Sequence, residues 1–138
     1  MITAFACFRS AYLATDQAVI TGLLDPSEVN IVRVPCSGRV EVRDLLRAFR
    51  DGADGVLVLA CPEGSCQDLT GNVRARQRVE YAQRLLEEIG IEKERLEMAA
   101  LASMMVPQAA DVIKEMLDTV RALGPCRGRV SQAEGVAK

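Results

Sequence analysis

The chain is expected to fold as a single α/β domain of the doubly wound, flavodoxin-like kind, built on a mostly parallel four-stranded sheet. Three observations lead there. Strand patterns and amphipathic helix patterns alternate along most of the sequence. The run Gly55-Val56-Leu57-Val58-Leu59-Ala60 contains no polar side chain, as expected of a central strand covered on both faces. Finally, 138 residues suffice for one substantial core and are too few for a comfortable second one. Parallel strands need crossover connections, and these are right-handed, so repeated strand-helix pairs imply helices on both faces of the sheet.

Taken in order, residues 2–7 read as a short apolar strand, and residues 12–24 as a helix stopped by the turn Asp25-Pro26-Ser27. Residues 29–34 are apolar and β-branched, which predicts a second strand. Val42, Leu45, Leu46 and Phe49 fall at i, i+3, i+4 and i+7 and make one helical stripe that Gly52 closes. After the third strand, residues 55–60, a loop over 62–71 precedes a long helix. Val79, Ala82, Leu86 and Ile89 share a face of that helix, and Gly90 ends it. Residues 95–102 predict a fourth strand, with Glu92, Lys93 and Glu94 as the connecting turn. Ala109, Val112, Ile113, Met116, Leu117 and Val120 line a last helix that Gly124-Pro125 stops. This gives a domain over residues 1–124 and a flexible tail over 125–138 rich in Gly, Ser, Arg and Lys. The expected strand order is 2-1-3-4, which places ligands beyond the carboxyl ends of the strands.

Composition narrows the function classes. The net charge is -2 with both signs interspersed, which gives no support for nucleic-acid or membrane-surface binding. No run approaches the ~18 apolar residues of a membrane span, and the start MITAFACFRS has no secretory pattern, so a cytoplasmic location is expected. Histidine is absent, which removes imidazole acid/base catalysis and His-ligated zinc, haem or Rieske-type centres. A disulfide framework does not suit five cysteines set beside Gly, Pro and Ser in a reducing compartment, whereas metal binding does.

The cysteines follow the strands. Cys7 ends the first, Cys36 lies just past the second and Cys61 ends the third, so all three leave the same edge of the sheet. Neighbouring strands are about 4.8 Å apart, so these thiols start roughly 5–10 Å from one another. Cys66 comes from the following loop, Cys61-Pro62-Glu63-Gly64-Ser65-Cys66, where Gly64 can take a left-handed turn that bends the chain back. Four thiolates at one edge match a [2Fe-2S] or [4Fe-4S] cluster or a structural zinc. Cys36-Ser37-Gly38-Arg39 adds a glycine and a cation beside the second thiol, suited to a negatively charged centre.

The segments at 32–40, 45–79 and 84–98 carry a cysteine-Ser-Gly-Arg element, a cysteine pair with four residues between, and Gly71-Asn72 followed by Arg74, Arg76 and Arg78. In these the chain resembles the MvhD family, the iron-sulfur (delta) subunit of methyl-viologen-reducing hydrogenase, over nearly its whole length except the tail. The resemblance implies an electron-transfer subunit with one [2Fe-2S] cluster, held here by Cys7, Cys36, Cys61 and Cys66. Its implied partners are a hydrogenase or other dehydrogenase subunit and the flavin subunit of a heterodisulfide reductase-like complex, with no substrate chemistry on this chain alone. The sequence departs from the family in that Ser10 stands where the first motif has its second cysteine, and Pro62 and Gln67 stand at positions usually held by histidines. If the missing cysteine is essential, the alternative is a structural adaptor subunit that has lost its cluster.

Of the remaining residues, Cys126 reads as an incidental exposed thiol, and Arg74, Arg76 and Arg78 as a solvated helix start, or as partner-facing if that helix points its N-terminus toward the cysteine edge. Met98, Met104 and Met105 read as core or interface filling, and Phe8 and Tyr12 as shields or ordinary contacts near Cys7.

Overall fold

The computed structural model describes residues 1–62 and 71–126. The strands are β1 (Ile2–Cys7), β2 (Val29–Val34), β3 (Gly55–Ala60) and β4 (Leu96–Ala100). The helices are α1 (Ala11–Ile20), α2 (Val42–Arg50), α3 (Gly71–Glu88) and α4 (Val106–Leu123), and short 3-10 turns occupy Ser37–Arg39 and Lys93–Arg95. The sheet order is β2-β1-β3-β4 with every pairing parallel, as the alternation predicts.

Strand periodicity sorts the side chains into two cores. Ile2, Ala4, Ala6, Leu57 and Leu59 pack on one face with α1 and α4, while Val56, Val58 and Leu96 pack on the other with α2 and α3. Every residue of β3 is buried, which explains its continuous apolar run. On α1 the buried positions are small, Ala11, Ala14, Thr15 and Ala18, so the helix lies close to the sheet.

That helix ends at Ile20, short of the expected residue 24. Gly22 takes φ 83°, and the N–H groups of Leu23 and Leu24 both turn back to the carbonyl of Ala18, at 2.9 and 3.2 Å. A glycine in the left-handed region is a helix stop in its own right, and it acts before the Asp25-Pro26-Ser27 turn is reached. At α2 the Asp44 carboxylate accepts the Glu41 N–H at 2.9 Å, satisfying an orphan donor of the first turn.

The amino ends of the strands are tied by a polar network. Arg95 is 1% exposed although charged, and lies in the 3-10 turn before β4 rather than in the strand. Its Nε donates to Glu92 at 2.7 Å, Nη1 to the Asp54 carbonyl at 3.0 Å and Nη2 to the Gly124 carbonyl at 2.6 Å. Asp54 in turn accepts from the Met1 ammonium at 2.8 Å and from the Cys126 N–H at 3.2 Å. One guanidinium therefore joins the start of β3, the turn before β4 and the end of α4.

Replacing Arg95 by Met should destabilise the protein by roughly 2–4 kcal/mol in urea unfolding, because three charge-assisted bonds are lost and buried carbonyls are left without donors. Lys at this position should recover only part of the loss, since an ammonium lacks the planar fork that reaches all three acceptors. At Asp54, burial pushes the carboxyl pKa up, but the hydrogen bonds from the Met1 ammonium and the Cys126 N–H, with the charges of Met1 and Arg95, hold it below its ordinary 3.8. Its contribution is therefore present above the ordinary carboxylate range and lost as pH falls through the lowered value. Below about pH 4 the wild type should lose stability more steeply than Asp54→Asn, measured by urea midpoints across pH.

Candidate iron-sulfur site

The strand register sets the site. Cys7 pairs with Val34 across β1 and β2, and Ala6 with Leu59 across β1 and β3, so the carboxyl ends of these three strands are level. Cys36 lies two residues beyond Val34 and Cys61 one beyond Ala60. All three cysteines are buried thiols at this rim. Cys36 and Cys61, 25 positions apart in the sequence, pack against each other in a small cluster of their own. Cys7, at 3% exposure, is not part of that pair. Among the described residues, no group of three His, Cys, Asp or Glu side chains is placed to hold a metal ion. Cys66, and the expected turn at Gly64, lie outside the described residues.

Each paired cysteine is held by its backbone. Cys36 is extended and starts the 3-10 turn at Ser37–Arg39, in which the Arg39 N–H reaches the Cys36 carbonyl at 2.9 Å and the Val40 N–H reaches that of Ser37 at 3.1 Å. The Gly38 N–H donates to the Cys36 sulfur at 3.4 Å. An amide aimed at sulfur favours the thiolate and offsets part of the negative charge of a sulfur-ligated centre. Arg39, the cation read beside this thiol, is exposed. At Cys61, the Asn72 side-chain amide donates to the carbonyls of Cys61 and Pro62 at 3.3 and 3.2 Å.

Two hydroxyls at this rim stand out. Ser10 Oγ and Ser37 Oγ are buried with no hydrogen-bond partner among the described residues. Ser10 sits in the turn after β1, its N–H on the Cys7 carbonyl at 3.2 Å, and occupies the N-cap position of α1 without its side chain capping the helix. A buried hydroxyl without a partner is destabilising, and polar ligands commonly explain such orphans. The Cys36-Cys61 pair, with an amide on one sulfur, supplies two of the four thiolates an iron-sulfur cluster takes, and the described residues alone do not complete the set.

Several residues differ from their expected roles. Arg74 and Arg76 are exposed or lie at the helix surface as expected of a solvated start, but Arg78 is half-buried and donates to the carbonyls of Gly38 and, at 3.0 Å, Val40. The signal was present: Gly71, Ala75, Arg78 and Ala82 follow i, i+4, i+7, i+11 beside the buried stripe. Cys126 is half-buried rather than exposed and packs on the second core. Burial pushes its thiol pKa up, with nearby Asp54 and Glu92 adding to the rise against Arg95. Its bond to Asp54 puts it at the amino ends of the strands, opposite the cysteine rim. Met98 and Met105 are half-buried against the two cores, whereas Met104 is 89% exposed. Phe8 is exposed and carries the Arg33 guanidinium 5.0 Å from its ring centroid; Tyr12 lies 5.8 Å from the same group.

The family described as "Methyl-viologen-reducing hydrogenase, delta subunit" matches residues 2–124. The chain belongs to that family. It is 38% identical over 125 residues to the vhu iron-sulfur subunit of the F420-non-reducing hydrogenase of Methanococcus maripaludis, covering 91% of this chain and 93% of that protein. With the iron-sulfur subunit of the F420-non-reducing hydrogenase of Archaeoglobus profundus the identity is 40% over 124 residues, 90% of each chain. A segment of a larger polypeptide, part of the ferredoxin/F(420)H(2)-dependent CoB-CoM heterodisulfide reductase of Methanosarcina acetivorans, is 28% identical over 131 residues. That match covers 95% of this chain but 16% of the larger protein.

Because the Ser10 hydroxyl has no partner among the described residues, Ser10→Ala should stabilise the metal-free protein by about 1 kcal/mol, read as a rise of a few degrees in thermal midpoint.

Proposed function

We propose that this chain is a non-catalytic electron-transfer subunit carrying one [2Fe-2S] cluster on Cys7, Cys36, Cys61 and Cys66, within a domain of residues 1–124 followed by a tail, 125–138, whose Cys126 packs back on the second core. The observation that carries the reading is the pairing of Cys36 with Cys61 at the carboxyl rim, with an amide already directed at one sulfur. It is supported by relatives named as iron-sulfur subunits of hydrogenases. When bound, such a cluster supplies reversible one-electron storage. The protein's part is to hold the thiolates, to temper their charge through the Gly38 N–H and to keep the centre largely shielded from water.

On this reading the electron donor is a hydrogenase or other dehydrogenase subunit, and the acceptor is the flavin subunit of a heterodisulfide reductase-like complex. Support for the acceptor comes from the Methanosarcina relative, in which the matching segment is continuous with a heterodisulfide reductase polypeptide. Modules joined in one polypeptide in one organism are placed side by side, the arrangement electron transfer between them needs. A cytoplasmic location is part of this proposal; no helix among the described residues is long and apolar enough to cross a membrane.

A second reading is a structural adaptor without a cluster, favoured by Ser10 in place of the family's cysteine and by the separation of Cys7 from the Cys36-Cys61 pair. Iron and sulfide analysis of protein purified without oxygen, with an EPR spectrum of the reduced form, separates the two. About two irons per chain is expected; none would establish the adaptor, and about four would change the cluster type. Cys61→Ala should bleach the visible absorption and Cys126→Ala should leave it intact. Equal loss in both would refute the ligand assignment.

A further inference from the structure

We propose that Arg78 and Asn72 form a clamp through which α3 sets the separation of the Cys36 and Cys61 thiols and the aim of the Gly38 amide at sulfur. The inference rests on the reading of this rim as an iron-sulfur site and assigns the residues that hold it in shape.

Both cysteines lie in irregular backbone past the strand ends, where the sheet ladder no longer constrains them. The same helix supplies the constraint on each side. Asn72, in its first turn and 4% exposed, binds the carbonyls of Cys61 and Pro62 through one amide nitrogen. Arg78, two turns on, binds the carbonyls of Gly38 and Val40 through one guanidinium nitrogen. Gly38 is the residue whose N–H meets the Cys36 sulfur, so the guanidinium holds the peptide that follows the amide aimed at that sulfur.

Close backbone contact fixes the spacing between helix and turn. A Cβ on Gly38 would lie 2.8 Å from the Gly71 Cα and 3.1 Å from the Gly71 carbonyl oxygen, both rigid backbone atoms. Only glycine at 38 lets the turn reach α3 closely enough for Arg78 to span it. An arginine that merely solvated the helix would not be half-buried with its guanidinium on a single turn of another segment.

The test uses residue-resolved iodoacetamide labelling of the full-length, metal-free protein, read by mass spectrometry. Arg78→Met, which removes the two guanidinium bonds to the turn, and Gly38→Ala, which pushes the turn off Gly71, should each speed labelling of Cys36 by about tenfold. Asn72→Ala should speed Cys61 and leave Cys36 near the wild-type rate. Cys7 and Cys126 should be unchanged in all three. In the iron-loaded protein, Arg78→Lys should retain iron while its midpoint potential becomes more negative, because the Gly38 N–H is aimed less well at sulfur. Unchanged Cys36 labelling in both Arg78→Met and Gly38→Ala overturns the clamp. Equal acceleration at Cys7 and Cys126 also overturns it, since that pattern reports general loosening. A wild type that takes up no iron overturns the cluster reading instead, and the labelling rates still decide the clamp.

Discussion

The common parallel register of β1, β2 and β3 is the constraint on which the rest of the molecule depends. Because Ile2 lies opposite both Val29 and Gly55, all three strands run out at one height, and residues far apart in sequence emerge together. A slip of one residue in either pairing would turn the affected strand's buried side chains to the wrong face, so the two cores enforce the alignment that the rim needs. Position at the rim is thus a by-product of hydrophobic burial, and chemistry can be placed there by choosing residues just past each strand.

The two ends of the sheet are built differently. At the amino ends, every side-chain nitrogen of Arg95 and both carboxylate oxygens of Asp54 have a partner among the backbone, the Met1 ammonium and Glu92, and make one polar network. At the carboxyl ends, buried thiols are gathered beside two hydroxyls that no described residue satisfies. A satisfied network rigidifies the fold, whereas the Ser10 and Ser37 hydroxyls have no hydrogen-bond partner among the described residues. Helix α3 belongs to both roles: Ala75, Val79, Ala82 and Leu86 fill the second core, and its first turns reach the cysteine rim.

Much of this was legible in the sequence, and most of the parts that were not share a cause. β3 was readable to the residue because an unbroken apolar run of six has few alternatives, and the strand order follows from repeated crossovers. That order puts all three cysteines at one rim, but β1 separates β2 from β3, so the Cys36-Cys61 contact across it, without Cys7, was not readable from the order. What pattern reading missed were polar side chains whose partners are backbone atoms distant in sequence. Arg78 read as part of a solvated helix start and Arg95 only as the first residue of a strand, because their acceptors, the carbonyls of Asp54, Gly124, Gly38 and Val40, carry no side-chain signature. Cys126 looked exposed because it follows a helix stop, yet the chain there folds back onto Asp54. The early end of α1 was readable in principle, since Gly22 was in view, but a later Pro-containing turn drew the boundary.

Strand order also bears on how the chain is made. β1 comes first from the ribosome yet sits between β2 and β3, so its second neighbour is missing until about residue 60 has been synthesised and has left the exit tunnel. Until then its apolar edge is a sticky surface, exposed to other nascent chains. The Cys36 thiol, which packs against Cys61 just past β3, lacks that cover until β3 has joined the sheet.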